Sequence, residues 1–220
     1  MPGMIGSPCL VAFGISAALD WFGVATGRKK IEYVFKPLTM LVLLYAVISS
    51  KLVSSVEGPL VWLCIALILS LLGDVFLMLP RDLFLPGLAS FFLAHVAYIA
   101  SFLPYASFSA RWIVPALVVA AIAVRYGTQI VTAIERRGKT SLKMPVIAYM
   151  VVITAMVGTV LATDSTWAYL GAVLFLASDT MIGLSRFVRA FTRDRLAIMV
   201  TYHLGQLGLV AGALHLYVGS

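Results

Sequence analysis

The sequence predicts an all-α fold, a polytopic bundle of about eight membrane-spanning helices. Three observations predict it. The 220 residues are 62% hydrophobic and 11% charged, with a mean hydropathy of +1.04 that no water-soluble domain of this size tolerates on its surface. The apolar residues fall into separate runs, each about long enough to cross a ~30 Å hydrocarbon core. The basic residues gather in alternate linkers between those runs.

In order, the runs are Pro8 to Thr26, Phe35 to Ser50, Pro59 to Leu79, Phe84 to Leu103, Trp112 to Ile134, Met144 to Ala162, Trp167 to Ser185 and Leu196 to Val218. The second is the shortest. None alternates apolar with polar residues, and a segment in lipid must satisfy its backbone internally, so each is read as a helix. The linkers are short and none resembles a soluble module, which gives a single transmembrane domain over residues 1–220.

Of the 16 Lys and Arg residues, thirteen follow the odd-numbered runs: Arg28, Lys29, Lys30, Lys36, Arg81, Arg136, Arg137, Lys139, Lys143, Arg186, Arg189, Arg193 and Arg195. The even linkers carry Lys51 and Arg111. The positive-inside rule then makes the odd linkers cytoplasmic and both termini non-cytoplasmic. The net charge of +7 is thereby topogenic, with attraction to anionic headgroups secondary and no nucleic-acid partner expected. Cys9 and Cys64 both sit in apolar runs, are too few for a disulfide framework, and are read as packing residues. With no basic leader or clear cleavage site, the first run is expected to be a retained helix.

Asp74 and Asp179 stand inside the third and seventh runs, where a carboxylate costs about 2.5 to 3.5 kcal/mol even on a mild insertion scale. Asp74 precedes Arg81 by seven residues and Asp179 precedes Arg186 by seven. At about 1.5 Å per residue the two are level, some 10 Å from the cytoplasmic side. Lys36, Tyr149, Tyr202 and Gln206 fall in the same half, and His95 with Tyr98, spaced i, i+3, forms a deeper polar pair. Packing these faces together gives a polar cavity open to the cytoplasmic leaflet. Helix-to-helix hydrogen bonding is the plainer reading for the tyrosines and glutamine, at about 0.6 kcal/mol each. A carboxylate is too expensive an adhesive for that purpose alone. Gly73 and Ser178, each preceding an aspartate, suit close packing or local hydrogen bonding under either reading.

Elsewhere, Asp20 is expected to pair with Lys36 or Arg28, and Glu57, Asp82, Asp164 and Asp194 to be solvated linker residues. Arg125 is open to three readings: snorkelling, pairing with an acid, or binding a lipid phosphate. Two carboxylates in a low-dielectric site resist ionising together, which suits one as general acid and the other as base. Glycine-rich phosphate loops, HExxH, CxxC and GxSxG are absent from the sequence.

Gly73-Asp74-Val75-Phe76-Leu77, Phe84-Leu85-Pro86-Gly87-Leu88, Phe91, His95 and Tyr98 together resemble the YhhN-type lysoplasmalogenase family. Lys36-Pro37-Leu38, Pro145 with Tyr149, Gly171-Ala172-Val173-Leu174-Phe175, Ser178-Asp179, and Tyr202 with Gln206 extend the resemblance from the second run to the eighth. It implies an integral membrane enzyme that hydrolyses the vinyl ether of lysoplasmalogens to a fatty aldehyde and glycerophosphoethanolamine or glycerophosphocholine. Carried onto this sequence, Asp74 and Asp179 would be catalytic, with Lys36, His95, Tyr98, Tyr149, Ser178, Tyr202 and Gln206 binding substrate or water. Lys36 would hold the phosphate, and neither metal nor organic cofactor is called for. The resemblance does not reach the first run, and His203 and Arg125 lie outside its motifs. Which aspartate is the acid is left open, as is association into a homodimer.

Two rivals stand beside this reading. A zinc hydrolase would gather Asp74, Asp179, His95 and His203 around the ion. A proton-coupled transporter or lipid-binding protein would use the acids as relays, although the two halves show no internal repeat. A bacterial source would place the protein in the inner membrane.

Overall fold

The computed structural model describes residues 5–50 and 57–218. Among them run eight α-helices: α1 (Ser7–Ala25), α2 (Lys29–Ile48), α3 (Glu57–Met78), α4 (Phe84–Phe102), α5 (Ile113–Arg136), α6 (Lys143–Leu161), α7 (Thr166–Gly183) and α8 (Asp194–Val218). All eight are long and apolar enough to cross a membrane. Lys51 and the side chain of Glu57 lie outside the described residues.

One boundary differs materially from expectation. Helix α2 begins at Lys29 rather than Phe35, taking a full charged turn into the helix. Glu32 makes this tolerable: it pairs with Lys29 at 3.1 Å and accepts two bonds from Arg195 of α8 at 2.7 and 2.8 Å. Charges that would have kept the segment in solvent are neutralised against each other. Helix α7 also does not stop cleanly but runs into a π-helical turn, Leu184–Val188.

The closest helix pair is α7 with α8, joined along a seam of small residues. A Cβ on Gly205 would stand 2.9 Å from the backbone nitrogen of Phe175, and one on Gly208 would stand 2.7 Å from the Cα of Gly171. Such close backbone approach is how helices associate where lipid supplies no hydrophobic drive. Ser178 adds a bond from its hydroxyl to the Ile198 carbonyl at 3.1 Å. Helices α3 and α4 are tied similarly, Ser90 donating to the Leu69 carbonyl at 2.6 Å. Cys9 and Cys64 are half-buried free thiols packed against the core.

The odd linkers meet at one end of the bundle. Arg186, after α7, binds Asp82, after α3, at 2.7 Å, and Arg137, after α5, donates to the carbonyls of Arg186 and Val188. The Arg186 guanidinium beside Asp82 holds its carboxyl below the usual carboxylate range. At the opposite end Arg111 pairs with Asp164, and Tyr217 with Ser101 at 2.5 Å. Asp82, Asp164 and Asp194 are therefore not simply solvated: each is bound to a side chain, Asp194 to Ser185. The positive-inside rule leads us to expect the basic end in the cytoplasm, and labelling tests it. In a background lacking Cys9 and Cys64, an impermeant maleimide should label Ser107→Cys in intact cells and Lys139→Cys only after permeabilisation. The reverse pattern would invert the topology.

Candidate active site

The two intramembrane aspartates each collect donors from other helices, and they do so in separate networks. Asp74 of α3 is 2% exposed. Its Oδ1 lies 3.2 Å from the Lys36 ammonium of α2, and its Oδ2 accepts from the Tyr202 hydroxyl of α8 at 2.6 Å. Behind Tyr202, the Gln206 amide donates to the tyrosine oxygen at 3.4 Å, while the Gln206 carbonyl oxygen accepts from Tyr98 of α4. Every proton in the chain from Tyr98 through Gln206 and Tyr202 points toward Asp74. Such a directed chain strengthens each bond in it and fixes the carboxylate as its terminal acceptor.

Asp179 of α7 accepts from the Tyr149 hydroxyl of α6. His95 Nε2, from α4, lies 3.0 Å from that tyrosine oxygen and 3.4 Å from Asp179 Oδ2. Tyr149 has one proton and spends it on the carboxylate, so its oxygen is left to accept and His95 carries its proton on Nε2. His95 and Tyr98 share a face of α4 but belong to different networks, contrary to the expected deeper pair.

Between the networks stands an aromatic partition. The Phe175 ring lies 4.8 Å from His95 and 5.3 Å from Tyr202, centroid to centroid, and Phe91 packs edge-on to both Phe175 and Tyr202. Gly73 makes room for it, since a Cβ there would come within 2.6 Å of the Phe91 ring. Asp74 and Asp179 are close enough to sense each other's charge. They nevertheless do not line one common hollow.

A narrow cavity of about 60 Å³ lies among α3 to α7 and the π-helical turn. Phe84 and Phe187 flank its basic end, Ile153 and Leu176 lie deeper, and Tyr149 with Asp179 occupies the wall between them. Asp74 is not on that wall. A mostly apolar slot with a few convergent polar groups is the usual form of a small-molecule site.

Three expected roles change. Lys36, 7% exposed and bound to Asp74, is turned away from any headgroup at the surface. Asp20 pairs with neither Lys36 nor Arg28; it is fully buried, and neither carboxylate oxygen has a hydrogen-bonding partner among the described residues. Ser178 spends its hydroxyl on the α8 backbone and so acts at the helix seam. Arg125 finds no acid among the described residues; its guanidinium lies beside the Gln129 amide one turn on. The zinc constellation is not assembled: among the described residues no three His, Cys, Asp or Glu side chains form a metal-binding group. His203 instead accepts from the Trp21 indole at 3.1 Å, on the α1 side of the bundle.

A family model described as the YhhN family matches residues 31–213. The chain belongs to the YhhN family. The YhhN match takes in every member of both carboxylate networks and leaves out Asp20 and Trp21. A protein of Mycobacterium bovis named lysoplasmalogenase is 34% identical over 191 residues, covering 85% of this chain and 72% of that protein. A lysoplasmalogenase of Mycobacterium tuberculosis matches to the same extent. Human lysoplasmalogenase TMEM86B is 31% identical over 149 residues, 68% of this chain and 62% of its own. No solved structure is significantly similar to this chain.

What sequence reasoning missed in this YhhN protein is mainly the aromatic partition and the Glu32 cluster. Phe91 and Phe175 were visible only as motif letters, but Glu32 carried a signal: it stands four residues before Lys36, on the same helix face. The Lys36 pairing is testable through stability. Asp74→Asn strands a buried ammonium and should cost about 3 to 5 kcal/mol of stability. Asp74→Leu combined with Lys36→Met should recover most of that loss in thermal unfolding. An Asp74→Asn protein as stable as wild type would show that the pair does not form.

Proposed function

We propose that this chain is a lysoplasmalogenase: it hydrolyses the vinyl ether of a lysoplasmalogen to a fatty aldehyde and glycerophosphoethanolamine or glycerophosphocholine. The observation that carries the proposal is the apolar cavity with Asp179, held by Tyr149 and His95, midway along it. The apolar lining suits an alkenyl chain, and the names of the mycobacterial and human relatives support the same activity.

Cleavage needs a proton at carbon, water, and a counter-charge. In the proposed sequence protonated Asp179 delivers its proton to the vinyl carbon distal to oxygen, and the electron pair of the double bond forms the new C–H bond. The neighbouring carbon becomes an oxocarbenium ion. Asp74 lies behind the Phe91 and Phe175 partition and does not touch the substrate on this reading; its negative charge, paired with Lys36, acts through space on the developing cation. Water adds to the oxocarbenium carbon and returns a proton to Asp179. The resulting hemiacetal collapses as Asp179 protonates the leaving glycerol oxygen and takes up the proton of the hemiacetal hydroxyl, giving aldehyde and alcohol. Tyr149 and His95 orient Asp179 and the water. The geometry thus favours Asp179 as the acid, an assignment the sequence left open.

The proposed setting is a cell membrane, the inner one in a bacterium, with the basic end in the cytoplasm and the substrate entering from that leaflet. Purified protein should release aldehyde from lysoplasmalogen, none from the matched saturated ether, and equally well after chelation. Asp179→Asn should lower kcat at least about 100-fold without loss of fold. Absence of aldehyde from the wild-type reaction would remove the activity; full turnover by Asp179→Asn would remove the acid.

A further inference from the structure

Helix α5 and the π-helical turn enclose a second recess at the basic end, lined by Thr128, Gln129, Thr132, Arg136, Arg137 and Phe187. It shares a wall residue with the apolar cavity. Phe187 lines both, and on α5 Ile130 faces the cavity while its neighbour Gln129 faces the recess. Among the described residues no carboxylate lines it. Three nearby cations are engaged by acids, Arg186 by Asp82, Arg195 by Glu32 and Lys143 by Glu135. Arg136 forms no ion pair among the described residues, and Arg137 is fastened only to the carbonyls of Arg186 and Val188, each at 3.3 Å.

We infer that this recess binds the phosphodiester of the lysolipid headgroup, with Arg136 as its principal ligand and Thr132 and Arg137 beside it. The inference rests on the lysoplasmalogenase reading of the neighbouring cavity. Two guanidinium groups without carboxylate partners, with hydroxyl and amide donors around them, form a site complementary to a phosphate. Basic pockets at the cytoplasmic ends of membrane helices take lipid headgroups for the same reason. Chain geometry agrees, since glycerol puts the phosphorus only about five bonds from the ether oxygen. With the alkenyl chain running inward past Asp179, the headgroup emerges at Phe187, where the recess begins. Lys36, buried on Asp74, does not compete for this role.

The probes are a saturated ether lysophosphocholine, which cannot be hydrolysed as a vinyl ether, and the matching alkylglycerol, which lacks the phosphate. Binding of both to purified protein in neutral detergent is compared for wild type, Arg136→Gln, and Lys30→Gln, which removes a charge outside the recess. Arg136→Gln should lower the preference for the phosphate-bearing probe about tenfold, the loss of one charge-assisted contact. Lys30→Gln should leave the preference intact. Equal preference in wild type and Arg136→Gln overturns the site. An equal effect of Lys30→Gln also overturns it, in favour of diffuse attraction of the basic end for the probe's phosphate. Should Arg136→Gln not purify as a folded protein, competition on wild type decides: glycerophosphocholine should displace the lysolipid and glycerol should not, and equal failure of both overturns the site. Because no probe is cleaved, loss of the hydrolase reading would leave these outcomes readable, while aldehyde release without phosphate preference would defeat this inference alone.

Discussion

A carboxylate buried in a bundle that lies in lipid must find its hydrogen-bond donors within the bundle, and this constraint organises the molecule. Asp74 of α3 draws on α2 through Lys36 and on α8 through Tyr202; Asp179 of α7 draws on α4 through His95 and on α6 through Tyr149. Tyr98 then links α4 to α8 through Gln206. Six of the eight helices are thereby registered against one another by polar contacts whose loss strands a buried charge. Apolar packing in lipid is permissive about register, because a methyl group gains little by choosing one groove over the next. The acids remove that freedom. Site and fold are consequently set by the same contacts, which is why substitutions at these positions have to be read for stability as well as for turnover.

The partition of Phe91 and Phe175 gives the acids different surroundings at similar depth. On one side Asp74 ends a directed chain of donors and faces a lysine; on the other Asp179 lines the apolar cavity. Enzymes commonly divide acid and counter-charge between two carboxyls by making their environments unlike. Here the unlike surroundings follow from small choices in sequence: glycine at position 73 admits the Phe91 ring, and glycines at 205 and 208 seat α8 against the backbone of α7 beside Phe175.

Much of this was legible before any coordinates. Hydropathy marks all eight helices because the thickness of a bilayer fixes their length. The equal depth of Asp74 and Asp179 follows from rise per residue alone. Rotation about the helix axis was not legible. Helices such as α6 and α7 are apolar all round, so no polar face tells which side looks inward. Tyr149 and Tyr202 could be assigned to one half of the membrane but not to Asp179 and Asp74 respectively. For the same reason His95 and Tyr98, neighbours on α4, could not be divided between the networks. The start of α2 was misplaced because hydropathy scores Lys29 and Glu32 separately, whereas in the fold they cancel with Arg195. Arg136 and Arg137 were read only as topogenic, since the recess around them exists only once α5 meets the π-helical turn.

The α1 side of the bundle answers the same constraint in another way. Asp20 is fully buried and lacks hydrogen-bonding partners among the described residues, yet it lies within electrostatic range of Lys36, Glu32, Asp74 and Arg195. Lys36 is therefore the cation between two buried acids, bonded to one and attracted by the other. With Glu32, Lys29 and Arg195 counted beside Asp20, Lys36 and Asp74, three acids meet three bases on this side of the bundle, so the cluster is closely balanced in charge. Helix α1 lies outside the matched family region and carries Asp20 into this cluster.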